Sequence, residues 1–239
     1  MPRFFVPSVE GDTLCVTGQD ASHIRRSLRM TVGETLTLCD GRGTDTLCEI
    51  EDFAGEDVLL RVLSRTLSAS EPTCAVTLYQ GLPKADKMEW IIQKAVEIGV
   101  ARIVPVQMAR SVAVINEKAA KKAARWQKIA DEAAGQSGRG ILPVVEEPVS
   151  FAAAAKRLAA ENAVVCYECG GRPFATLANR ETETLSLVVG PEGGIDPREI
   201  AVLEQGGAAI ATLGKRILRC ETAPVAALAV LMAVTGNME

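Results

Sequence analysis

The pattern of apolar and polar positions changes character near residue 70. Before it, short apolar runs at 3–6, 36–39, 46–50 and 58–63 alternate with turn signals at Asp40–Gly41 and around Gly55, which predicts a small module of short strands, β-barrel-like. One helix interrupts them, with Asp20 or Ser22 as its cap and Ile24, Leu28 and Met30 turned to the core. Residues 67–73, L-S-A-S-E-P-T, form a polar linker. Beyond it, strand and helix patterns alternate, which predicts a parallel sheet with crossover helices. The strands are expected at 75–80, 103–106, 144–145, 163–167, 185–189 and 210–213. A helix should start at Asp86, with Glu89 at capping-box spacing, and stop at Gly99. A long helix is expected over 118–137, with Trp126 and Ile129 inward. The last, 221–235, carries Pro224 in its first turn and is apolar nearly all round, so both its faces need cover, from its own core or from a second subunit. The expected domains are 1–68, a linker at 69–73, and 74–239.

The informative stretch is 185–222. Two runs that suit buried parallel strands, 185–189 and 208–213, each break into a loop that begins with glycine. Ligands of open α/β sheets bind beyond the carboxyl ends of the strands, so loops 190–195 and 214–220 are candidates for a binding site. Gly190, Gly193 and Gly194 permit close backbone approach and positive φ. One such loop alone is equally well read as an ordinary turn; two in one sheet favour a site.

Composition narrows the chemistry. The apolar fraction of 48% is ample for a core, and the longest apolar run, 223–234, is about half of what a bilayer requires. The start, M-P-R-F-F-V-P, lacks a secretion-signal pattern, and seven scattered cysteines fit a reducing cytosol, so a cytoplasmic protein is expected. The net charge of −4 gives no global attraction to nucleic acid, so any such contact needs a local basic patch. The single histidine, His23, lies in the first module, which leaves the larger domain without a Ser-His or Cys-His centre. Phosphate-loop, nucleophile-elbow and dinucleotide motifs are absent. C-Y-E-C at 166–169 has no second pair near it, so no metal is expected.

The motifs G-P-E-G-G at 190–194 and L-G-K-R-I-L-R-C-E-T-A at 213–223 resemble the signature of the RsmE family, bacterial SPOUT-class methyltransferases acting on small-subunit ribosomal RNA. The similarity extends to G-L-P-K-A-D-K-M-E-W-I-I-Q-K-A-V-E-I-G at 81–99, R-W-Q-K-I-A-D-E-A-A-G-Q-S-G-R at 125–139 and H-I-R-R-S-L-R at 23–29. Ala85 stands where the family usually has Gly, Gly135 where it usually has an acidic or similar residue, and Cys220 where it usually has Thr. The resemblance implies a SPOUT-like α/β fold, with a trefoil knot that nothing in periodicity shows, behind a PUA-like RNA-binding β-barrel domain. It also implies a homodimer that methylates N3 of a U1498-type uridine in 16S rRNA, with S-adenosyl-L-methionine as cofactor.

Such a donor is already activated by its sulfonium charge, so the protein needs chiefly to bind and orient. The resemblance assigns Tyr167 and Glu168, Gly190, Pro191, Glu192, Gly193 and Gly194, and Leu213, Gly214, Ile217 and Leu218 to the cofactor. Arg139 and Arg219 are candidates to stabilise a uracil anion. Glu192 is a candidate to take the N3 proton or, equally, to act electrostatically beside Asp196 at a helix start. Arg3, Arg25, Arg26, Arg29 and Lys84 are candidates for RNA contact, although an arginine cluster on a helix is also an ordinary solvated face. Two other readings stay open: a related enzyme acting on tRNA or another rRNA base, and an RNA-binding factor without catalysis.

Overall fold

Strand pairing divides the chain into two sheets. The computed structural model describes residues 1–115, 117 and 119–239; Lys118, the expected start of the long helix, lies outside the described residues. One compact unit comprises Met1–Glu71 with Ala134–Leu142, the other Pro72–Ala133 with Pro143–Glu239.

The first unit holds β1 (Arg3–Phe5), β2 (Thr13–Val16), β3 (Thr35–Cys39), β4 (Thr44–Ala54) and β5 (Asp57–Leu67) in the order β1-β3-β4-β5-β2. β1 runs parallel to β3 and the other neighbours are antiparallel. Along β4 the buried positions are Thr46, Cys48 and Ile50, the period of two of a sheet with one face on a core. Leu36, Leu38, Val58 and Leu60 complete that core, with Ile24 inserted from the helical segment.

That segment departs from expectation. The helix α1 (Gly18–Ser22) begins after Thr17 and continues as a π-helical turn, His23–Ser27. The N–H of Leu28 reaches back five residues to the carbonyl of His23 at 2.9 Å. The wider turn advances fewer degrees per residue, so Ile24 stays buried while Leu28 turns out, 42% exposed.

Residues 134–142, far along the chain, complete the first unit. Gly43 N–H donates to the Gly140 carbonyl at 3.1 Å, and Leu142 N–H to the Gly41 carbonyl at 3.0 Å. Glu71 accepts from the N–H groups of Gly140 and Ile141 at 2.8 and 3.0 Å and pairs with the Arg139 guanidinium at 2.8 Å. Burial raises the Glu71 carboxyl, and Arg139 with the two N–H donors outweighs it, leaving the group below the usual carboxylate range.

The second unit holds β6 (Ala75–Gly81), α2 (Lys87–Ile98), β7 (Arg102–Gln107), α3 (Ala119–Ser137, whose last four residues belong to the first unit), β8 (Val144–Val145) and β9 (Val149–Ser150). It continues with α4 (Phe151–Leu158), β10 (Ala163–Cys166), β11 (Arg172–Pro173), β12 (Thr184–Val189), α5 (Pro197–Gln205), β13 (Ala209–Thr212) and α6 (Thr222–Val234). The sheet order is β11-β13-β10-β12-β6-β7-β8, with β9 also on β7, and every pairing is parallel. β10 is buried at all four positions and β12 at its last five, as a sheet covered on both faces requires. Tyr79, Val104, Val106, Val165 and Val188 pack with Ala154 and Leu158 of α4 and with Ile200 and Leu203 of α5. The alternate positions Val76, Leu78, Ile103, Val164 and Leu187 are as deeply buried and point the other way.

One helix expectation changes. Asp86 precedes α2 but makes no side-chain cap bond, and Glu89 instead pairs with Arg125 at 2.8 Å. On α6, Pro224, Ala227, Leu228, Leu231 and Met232 are buried, whereas Val225, Ala226, Ala229 and Val230 are only half-buried.

Gly140 generates a test. A Cβ there would collide with the Ser68 hydroxyl and Cβ, neither at the end of a flexible chain. Gly140→Ala is expected to cost the first unit about 1–3 kcal/mol. Gly33→Ala, at φ +87 with open space around it, tests backbone strain alone and should cost less. Urea unfolding followed by a probe in the first unit gives both values.

Candidate functional site

Three neighbouring strands of the second sheet, β13, β10 and β12, end side by side, and the loops that leave them wall a cleft of about 520 Å³. Cys166, Tyr167 and Glu168 come from the end of β10, residues 189–194 from β12 and residues 212–220 from β13. Lys87 and Ala223 close it from the starts of α2 and α6. All eleven residues expected to face a cofactor line this cleft, as does Arg219. The parallel ladder puts every carboxyl end on one side, the edge beyond which open α/β sheets bind ligands.

The glycines of 190–194 have separate duties. Gly194 alone among Gly190, Gly193 and Gly194 has positive φ, +70°, and its N–H closes a turn on the Pro191 carbonyl at 2.9 Å. At Gly190 a Cβ would lie 2.8 Å from Ile195 Cγ1, and at Gly193 one would lie 3.0 Å from Arg110 Cβ. So close approach, not positive φ, explains those two. Arg110 donates to the Gly193 carbonyl at 3.1 Å and faces Asp196 at 3.4 Å. Asp196 caps α5, accepting from Arg198 N–H at 3.0 Å, with Pro197 in the first turn and Glu199 completing a capping box.

The loop is also held from below. Gln80, fully buried near the end of β6, donates its amide to the Gly190 carbonyl at 3.3 Å and to that of Gly81 at 3.1 Å, and its Oε1 has no partner among the described residues. At Gly81 a Cβ would come within 2.5 Å of Pro191 Cδ and 2.6 Å of its nitrogen. After β6 the chain turns through Ala85, whose φ of +51° is a conformation that glycine adopts more readily.

That turn brings the start of α2 onto the cleft. Glu192 accepts from Lys84 N–H at 3.1 Å and pairs with the Lys87 ammonium at 3.2 Å. Lys87 also pairs with Glu221 at 3.1 Å and reaches Cys220 Sγ at 3.8 Å. Glu221 and Glu192 hold the ammonium above its ordinary value. Partial burial raises the Glu192 carboxyl, and the hydrogen bonds from backbone N–H groups and from Lys87 outweigh it, leaving it below the usual range. Burial, aided by Glu221, pushes the Cys220 thiol up to about 12, so it stays protonated.

The other expected site residues lie elsewhere. Arg139 is buried and paired with Glu71 in the first unit. Arg3 grips Asp45 through two bonds of 2.8 and 2.7 Å, so its charge is spent inside the first unit. Arg25 lies over the Phe53 ring, 5.2 Å from its centre, and donates to the Gly55 carbonyl. Arg26 pairs with exposed Glu56 at 3.0 Å, and Arg29 is exposed with φ +54°. Lys84 reaches the site through its backbone N–H. Sequence reasoning missed Gln80, Gly81, Lys87 and Arg110; one signal was the long polar side chain of Gln80, next to last in a largely apolar strand.

The chain matches the family model described as an RNA methyltransferase domain over residues 70–232, and that of an RNA methyltransferase PUA domain over 16–63. It is 36% identical to ribosomal RNA small subunit methyltransferase E of Bacillus subtilis, over 97% of this chain and 96% of that one. Its Mycobacterium tuberculosis namesake is 33% identical over 96% and 89%. Among solved structures, the Neisseria gonorrhoeae methyltransferase E bound to S-adenosyl methionine superposes with a TM-score of 0.87 at 31% identity, covering 98% of this chain and 97% of that one. A Legionella pneumophila putative methyltransferase in complex with the same cofactor gives 0.83 at 31%, covering 97% and 96%.

Gly81→Ala tests whether the end of β6 sets the loop. The added methyl is expected to displace residues 190–194 while the strand stays paired. Amide hydrogen exchange should therefore rise roughly tenfold or more across that loop and stay unchanged over 75–79. Unchanged exchange in the loop would show that Pro191 can yield without consequence.

Proposed function

The chain belongs to the ribosomal RNA small subunit methyltransferase E family, and on that premise we propose that it methylates N3 of a U1498-type uridine in 16S rRNA. It is an S-adenosylmethionine-dependent methyltransferase of small-subunit ribosomal RNA, with a SPOUT-like α/β domain behind a PUA-like one. The observation that carries the finer reading is the cleft, whose lining includes Glu192, Lys87 and Arg219.

The residues present fit the cofactor. The cleft volume is that of a small-molecule site, and at Gly214 on its wall a Cβ would meet nothing within 4 Å, which leaves room for a ligand. Tyr167, Glu168, Gly190–Gly194, Leu213, Gly214, Ile217 and Leu218 are the residues we assign to it. The cofactor supplies an activated methyl group. The protein supplies orientation and a field that favours the anionic form of the base. N3 lies on the Watson–Crick edge, so the uridine must be unpaired or extruded before it enters. The position of Arg219 on the cleft wall supports its role in stabilising negative charge on the uracil, and the pairing of Arg139 with Glu71 supports a structural role for that residue. The low-lying Glu192 carboxyl is a weak acceptor for the N3 proton, which favours its electrostatic role.

RNA positioning falls to residues 1–68, methyl transfer to residues 74–239. Arg26 and Arg29 are exposed, and Arg25 is stiffened by Phe53, which presents its remaining donors at little entropic cost. The half-buried face of α6 and the exposed Trp90 of α2 support a homodimer, the commonest closed assembly. Seven free cysteines favour the cytoplasm as its site of action.

Mass mapping of nucleosides from 16S rRNA of cells with and without the gene tests the assignment. Loss of one 3-methyluridine in the deletion strain, restored by the purified protein and S-adenosylmethionine, is expected. Loss of a different methylated nucleoside, or of one in tRNA, would replace the substrate.

Arg219 and the arginines of the first unit should separate in their effects. Arg219→Ala is expected to lower single-turnover methylation about 10²-fold with RNA affinity nearly unchanged, because an anion-stabilising group acts chiefly in the transition state. Replacing Arg25 and Arg26 by Ala should weaken RNA binding and reduce its salt slope by about one to two, with donor affinity unchanged. Filter binding across a salt series and rapid-quench methylation measure both; wild-type affinity and slope would make the cluster a solvated face.

A further inference from the structure

Lys87 is the least expected member of the cleft. It is the first residue of α2, yet its ammonium bridges the two loops that form opposite walls. Glu192 follows β12 and Glu221 opens α6, and the ammonium lies 3.2 and 3.1 Å from their carboxylates. An ammonium carries three N–H donors. Two are taken by those carboxylates; among the described residues the third has only Cys220 Sγ, 3.8 Å away and a weak acceptor. Burial keeps that thiol protonated, so it offers no competing negative charge. Lys87 therefore presents to the cleft a cation that is fixed in place with one donor to spare.

We propose that Lys87 donates this N–H to a uracil carbonyl oxygen and so stabilises the base as its N3 anion, with Glu192 and Glu221 as the residues that aim it. The inference rests on the uridine-N3 reading above. The N3 proton passes to water, because both neighbouring carboxylates are held ionised, Glu192 by backbone N–H groups and Lys87, Glu221 first by the Cys220 thiol. The N3 lone pair then bonds to the methyl carbon as the carbon–sulfur bond breaks and its electron pair stays on sulfur. A carbonyl oxygen flanking N3 carries part of the anion's charge, so a cation beside it lowers the pH at which N3 ionises. Glu192, Glu221 and Cys220 face the ammonium directly. Lys84 and Asp86 precede it on its own turn, and Glu168, Lys215, Arg216 and Arg219 are the other charged groups of the cleft.

The test is an ionisation measured without turnover. An RNA fragment carrying 5-fluorouridine at the target position is bound to the full-length protein with S-adenosylhomocysteine, and its fluorine resonance is followed against pH. With wild-type protein the N3 midpoint is expected at least about one pH unit below that of free RNA. Lys87→Met should return it upward by about one unit, and Lys87→Arg should keep most of the shift. Methylation of ordinary RNA by Lys87→Met should fall about tenfold near neutral pH, and the deficit should close as pH rises past the midpoint. A wild-type midpoint in Lys87→Met, or a deficit constant with pH, or one removed by saturating donor, would reduce Lys87 to a clamp between loops and overturn the proposal. Failure of the underlying reading shows in the wild-type arm alone, as RNA that gains no 3-methyluridine.

Discussion

The turn out of β12 lies on the end of β6, and it lies there because residue 81 has no side chain. Pro191 occupies the space a Cβ would need, while the amide of Gln80 holds the carbonyl of Gly190 from beneath. With that contact set, the loop can rise in only one direction, and Glu192 arrives where the Lys84 N–H and the Lys87 ammonium meet it. Arg110 secures the far end through the Gly193 carbonyl. The cleft thus depends on backbone approach at two adjacent strand ends more than on the chemistry of the residues that line it.

Charge is distributed with the same economy. Many cations of this acidic chain are committed to carboxylates: Arg3 to Asp45, Arg139 to Glu71, Arg102 and Arg157 to Glu146. Pairs as buried as Arg139–Glu71 lock geometry, since removing one partner strands the other charge out of water. On the loop after β13 the pattern reverses. Lys215, Arg216 and Arg219 form no ion pair among the described residues, and Lys215 and Arg216 stand on an exposed loop. A net charge of −4 therefore coexists with a local positive rim, the condition for attracting a phosphate backbone without general affinity for polyanions.

Much of the second unit was legible from residues. The period of its apolar runs marked its longer strands, though not the two-residue β9 and β11, and glycines at strand ends marked the loops that wall the cleft. The conformational duty of those glycines was only partly legible, because positive φ and close approach call for the same residue. Helix registers were legible only where turns are ordinary: the π-turn after Ser22 moved Leu28 to the surface with no sequence signal to announce it.

By itself the sequence determined the periodicities, the pair of glycine-led loops and, by resemblance, the family and its cofactor. Tertiary structure alone decided the partners. Gln80 meets a carbonyl 110 residues away, and Lys87 meets a thiol 133 residues away. Residues 134–142 join a unit whose other members end at Glu71. Local pattern reports which face of an element is apolar; it carries no record of which distant charge or carbonyl the fold will place opposite. An ion pair or a close backbone contact is a relation between two positions, and only the closed chain brings both to one point.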